Sequence, residues 1–120
     1  MRAHAHDLRA EVGDFGISQA AAADQFVGRV VADWRTAGLK AADAALCGYA
    51  EAVTRAPAAS TPGQLETLRQ AGFDDRAIHD ATQVIGYFNY INRMADALGV
   101  DEEAWLRQWE QIPDADDRGA

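Results

Sequence analysis

Four side chains in this sequence have the chemistry of a reactive group: His4, His6, His79 and Cys47. Glu11 joins them because it lies seven residues after His4, on nearly the same face of a helix. In that position a carboxylate and an imidazole can exchange a proton with one substrate. His4 and His6 do not form a metal pair, since residues two apart diverge on a helix. His79 stands alone. Cys47 is the one cysteine, which excludes an internal disulfide framework and any multi-cysteine zinc or iron–sulfur site. As a surrogate nucleophile Cys47 would need a depressed pKa. It sits in mid-helix between Leu46 and Gly48, away from any helix N-terminus that would lower it, so a small structural hydrophobe is the better reading. No cofactor and no metal are expected.

Charge narrows the function classes. Nineteen Asp and Glu against eleven Lys and Arg leave a net charge of −8. With one lysine and no basic stripe, the chain is not expected to bind nucleic acid or an anionic membrane surface. No apolar run approaches the ~18 residues of a spanning helix. The first seven residues lack the apolar core of a secretory signal, and a reducing cytoplasm suits the lone thiol.

The elements that must position these residues read as helices. Twenty-six alanines and no alternating apolar/polar stretch predict an all-α fold, a compact bundle of about five to six helices. Residues 1–12 place Met1, Ala5, Leu8 and Val12 on one stripe, which Gly13 and Gly16 end. Ser18 or Asp24 caps the next helix, with Phe26, Val27, Val30, Val31 and Trp34 inward as far as Gly38. Residues 40–55 form a third helix with Ala42, Ala45, Leu46, Tyr49, Ala50 and Val53 on its buried side. Pro57 and Pro62 bracket a polar linker. A short helix through Leu65 and Leu68 stops at Gly72, and Asp74 or Asp75 caps the longest element, about 75–98, closed by Gly99. Its apolar positions are Ile78, Ala81, Val84, Ile85, Phe88, Ile91, Met94, Ala95 and Leu98. Asp101 opens a last helix with Trp105, Leu106 and Trp109, the two indoles either closing the bundle or meeting another subunit. Residues 1–112 are expected to form a single helical domain, followed by an acidic flexible tail, 113–120.

On the long helix Asn89, Asn92 and Arg93 either line a cleft or fix helix register as buried polar groups. Arg93 is expected to pair with Asp96, Glu11 or Glu51. Tyr87, Phe88 and Tyr90 are core or interface before they are a ligand cage.

Several strings together resemble the peroxidase-related branch of the alkylhydroperoxidase / carboxymuconolactone decarboxylase-like family. His4-Ala5-His6-Asp7-Leu8-Arg9-Ala10-Glu11 is similar to the stretch just after that family's redox site. Ala45-Leu46-Cys47-Gly48-Tyr49-Ala50-Glu51 through Pro57 resembles its central helix and following proline. Leu65 through Phe73 and Asp74 to Ile78 resemble its short helix and cap, and Gly86 through Val100 its long C-terminal helix. The resemblance covers roughly residues 4–100 and implies a homo-oligomer, dimer to hexamer, that reduces small hydroperoxides through a Cys-x-x-Cys pair with a thiol reductant. One thiolate takes the peroxide oxygen as a sulfenic acid, and the second condenses with it to a disulfide that the reductant reopens. His4 matches the family's proton-relaying histidine. Counting back four residues from it lands one place before Met1, so both cysteines are expected to precede this chain. The apolar stripe is already in phase at Met1 with no cap ahead of it. That start fits either a lost helix front or a frayed terminus. Peroxidase activity is then expected to be impaired. Two alternatives remain: a non-catalytic helical scaffold or oligomerisation module, and a carboxymuconolactone decarboxylase-like enzyme using His4 with Glu11.

Overall fold

A computed structural model describes residues 2–11, 19–101 and 104. These are all-α, with five helices and no strand among the described residues: α1 (Arg2–Glu11), α2 (Ala20–Asp33), α3 (Ala41–Arg55), α4 (Pro62–Gln70) and α5 (Asp75–Leu98). Short 3-10 turns follow α2 at Trp34–Thr36 and α3 at Pro57–Ala59. The helix expected from Asp101, with Trp105 and Trp109, and the tail 113–120 lie outside the described residues, as do Ser18 and the glycines at 13 and 16.

The chain divides into two compact units, one containing residues 1–39 and 101–120, the other Lys40–Val100. In the first, α1 packs on α2. Its buried cluster is Ala5, Ala23, Phe26 and Val27, with Leu8, Val30, Val31 and Leu39 packed around it. In α2 the helix begins at Ala20 and runs through Asp24 rather than starting from it. The four-alanine run Ala20–Ala23 has the highest helix propensity available, so it extends the helix one turn ahead of the capping candidate. Instead of capping, the Asp24 carboxylate accepts from Arg9 Nε and ties α1 to α2.

In the second unit α3 packs against both α4 and α5. Tyr49, Leu68 and Ile78, one from each helix, form the buried centre, surrounded by Ala45, Leu46, Val53, Leu65, Phe73 and Ile85. A hydroxyl pair crosses the same contact, Tyr49 Oη to Thr82 Oγ1 at 2.8 Å. Thr82 also donates to the Ile78 carbonyl. Two caps set the ends of the longest helix. Asp74 Oδ1 accepts from the Ala77 amide at 2.8 Å, satisfying a donor that the first turn otherwise leaves unpaired. Gly99 sits at φ 65°, the left-handed conformation that ends a helix and that glycine adopts without strain. Asp74→Ala is therefore expected to cost about 0.5–2 kcal/mol in urea unfolding, with Asp80→Ala on the exposed face as the near-neutral control. Helix α4 starts from a capping box in which Thr61 and Gln64 satisfy each other's backbone donors around Pro62.

Candidate functional site

On α1, His4 is half exposed, and its Nδ1 lies 3.5 Å from Asp7 Oδ2, one turn on. Ala5, next to it, is buried in the α1–α2 contact. His4 thus sits at the edge of a packed face with its imidazole in reach of water. Glu11 closes the same helix and is exposed. Both members of the expected acid/base pair are on one element and exposed, where each can exchange a proton with water. Between them, Arg9 fixes the helix. Besides its bond to Asp24, its guanidinium donates to the Ala20 carbonyl at 3.3 Å, in the first turn of α2. The side chain of His6 lies outside the described residues.

Cys47 lies in the second unit, in the middle of α3, half-buried. Burial raises its thiol pKa above the ordinary range, and the carboxylate of Asp43, one turn earlier, pushes the same way. The thiolate is the attacking species in peroxide chemistry, so this environment works against the nucleophilic reading. It also sets a pH sign. A thiol whose folded pKa is raised stays protonated below the ordinary thiol range. The folded state then loses stability as the pH climbs through and beyond that range.

The polar residues of α5 stand differently from expectation. Asn92 and Arg93 are exposed and Asn89 is half-buried, so only Asn89 shares the inner face. Arg93 does not take a carboxylate partner among its described bonds. It donates to the Asn89 carbonyl at 3.2 Å and to the Thr54 carbonyl at 3.4 Å. Thr54 is in the last turn of α3, where carbonyls have no helical partner and the dipole favours a cation. Arg93 thus ties the C-terminal end of α3 to the side of α5. Glu51, one of the partners expected for it, pairs with Arg55 at 3.1 Å instead. A cation on one helix reaching the unpaired carbonyls of another is a tertiary event that spacing along the chain does not encode.

The aromatics divide the same way. Phe88 is half-buried, and its ring meets the edge of Tyr87 at 5.5 Å with an interplanar angle of 71°. Tyr87 and Tyr90 are more than half exposed. Among the described residues, no three His, Cys, Asp or Glu come together as a metal site. His79 is exposed, beside Asp80 and Gln83 on its own helix. No described helix is long and apolar enough to cross a membrane. No family model matches the chain, and neither does any curated protein.

Proposed function

We propose that this chain is a peroxidase-related, alkylhydroperoxidase-like protein whose role is thiol-dependent reduction of small hydroperoxides within a homo-oligomer. By this reading its own residues supply the proton relay and the assembly rather than the redox pair. The observation that supports it is where the family-like strings fall. Ala45–Glu51 lies inside α3, with Pro57 after its end. Leu65–Arg69 lies inside α4, Asp74 is the cap of the next helix, and Gly86–Arg93 lies inside the 24-residue α5. Each string occupies the kind of element the resemblance implies. The reaction needs two thiols, and the sequence holds one, in an environment that keeps it protonated.

A second reading, a helical scaffold without turnover, is favoured by the exposed apolar side chains along α5. The intact mass and N-terminal peptide of the native protein, measured together with its peroxide consumption, separate the two. The peroxidase reading expects a mass above 13.0 kDa, a Cys-x-x-Cys peptide joined to Met1-Arg2-Ala3-His4, and turnover that alkylation abolishes. His4→Ala should then lower turnover by about 10²-fold or more, and Cys47→Ala should leave it unchanged. A 13.0 kDa protein that consumes no peroxide overturns it in favour of the scaffold. In either case iodoacetamide at neutral pH should label native Cys47 far more slowly than the unfolded chain. Rapid labelling would make Cys47 a candidate nucleophile again.

A further inference from the structure

An imidazole can relay a proton only through the nitrogen that holds its lone pair, and the neighbours of the ring decide which nitrogen that is. Spacing pairs His4 with Glu11, but seven residues of helix carry that carboxylate about 10 Å along the axis. The structure brings a different acid to the ring. Asp7 places Oδ2 3.5 Å from His4 Nδ1. No other cation among the described residues takes this carboxylate, since Arg9 is turned to Asp24 and to the Ala20 carbonyl. The local sequence leaves Asp7 no alternative either. Its neighbours at helical spacing are Ala3, His4, Ala10 and Glu11. Of these only His4 can pair with it, and Glu11 repels it, so a carboxylate here gains nothing for the helix from that side.

We infer that Asp7 is the positioning residue of the His4 relay: its carboxylate holds the ring proton on Nδ1 and leaves the lone pair on Nε2, the nitrogen that then accepts a proton from a thiol or hydroperoxide. A neutral imidazole in water prefers the opposite arrangement, with the proton on Nε2. A carboxylate is an acceptor only. Beside Nδ1 it is attracted to an N–H and repelled by a lone pair, so it favours the Nδ1–H tautomer. The backbone that carries the pair is held in place, because Ala5 is buried and Leu8 packed in the contact with α2. The side chains themselves are 47% and 72% exposed, which limits the bias to about two- to fivefold in the tautomer ratio. The share of rings competent to accept at Nε2 rises with that ratio.

The inference deepens the proposed function and rests on its assignment of the relay to His4. The test is long-range nitrogen–proton correlation NMR of the whole chain at about pH 8.5, where an imidazole is neutral. The chain has three histidines, and the ring lost in His4→Gln assigns the signals. In Asp7→Ala the ratio of Nδ1–H to Nε2–H at His4 should fall about two- to fivefold, with His79 unmoved. Alanine is the better helix former, so α1 is kept. Asp7→Glu should retain most of the wild-type ratio. About 1 M sodium chloride, with a Debye length near 3 Å, should shrink the difference between wild type and Asp7→Ala. An equal ratio in wild type and Asp7→Ala overturns the inference. A fall that Asp7→Glu shares, or that salt leaves untouched, overturns it equally, because the change would then come from the helix and not from the charge. No peroxide enters the measurement. A shifted ratio in a protein that consumes none refutes the proposed function and leaves the Asp7–His4 pair standing.

Discussion

Replacing Leu68 by alanine is expected to destabilise the Lys40–Val100 unit by about 2–5 kcal/mol. The side chain is 1% exposed, the most completely buried large residue of that unit. It is the point at which three helices meet, between Tyr49 of α3 and Ile78 of α5. Its helix has little stability of its own, because nine residues are too few to fold alone in water. What holds α4 is the capping box at one end and, at the other, the turn in which the Phe73 amide donates to the Leu68 carbonyl at 3.1 Å. Gly72 in that turn adopts φ 104°, which a residue with a Cβ rarely takes. Truncation therefore removes the apolar contacts of α4 and leaves a cavity that the rigid turn cannot collapse to fill. Urea unfolding followed by circular dichroism measures the loss. Leu68→Met, of similar volume, should cost less than about 1.5 kcal/mol. A loss for Leu68→Ala below about 1 kcal/mol would mean that the α3–α4–α5 contact is not the core of this unit.

How much of this is legible in the sequence differs by element. Helix α5 is bounded well because both its ends carry local chemistry: a capping aspartate at 74 and a glycine at 99 that the backbone requires. The third helix is close for the same reason, with Pro57 behind it. The start of α4 is written in Thr61-Pro62-Gly63-Gln64, a capping-box pattern with proline at the first helical position. There the polar residues between two prolines suggest a linker and mask the cap. At the start of α2 a capping rule points to Ser18 or Asp24, whereas the alanine run decides it.

The candidate site is less legible. The spacing assigns His4 and Glu11 to the correct helix, but their exposure follows from how α1 lies on α2, a relation set by Phe26, Val27 and the Arg9–Asp24 pair. On α5 the sequence offers apolar residues on two faces, at Ile78 and Ile85 and again at Val84, Ile91 and Leu98. Periodicity identifies both stripes and ranks neither. Only the packing of α3 and α4 on the Ile78–Ile85 face decides which one is covered within the unit. The same limit applies to Arg93, whose bond to the Thr54 carbonyl joins residues 39 apart.

Phe26→Ala should have a comparable effect in the other unit, about 3–5 kcal/mol, and its consequence reaches the candidate relay. Phe26 is nearly buried and Val27 fully so, and together with Ala23 they receive Ala5, with Leu8 packed beside them. Helix α1 depends on that surface. Ten residues do not hold a helix unaided, no acidic residue stands in its first turn, and the favourable charge of Arg9 in its last turn is offset by Glu11 at its end. The Arg9–Asp24 bond is partly exposed, with side chains 29% and 25% accessible. A pair in that position is worth on the order of 1 kcal/mol, which orients α1 but cannot anchor it against the loss of an aromatic ring. Amide hydrogen exchange over residues 2–11 should accordingly speed up on the order of 10²-fold in Phe26→Ala, and by about tenfold or less in Asp24→Ala. The order of those two effects is the test. If the ring dominates, the place of His4 at the edge of the α1–α2 contact is set by hydrophobic docking of its helix. If Asp24→Ala releases α1 as fully as Phe26→Ala, the ion pair holds the helix, and the position of His4 becomes sensitive to salt.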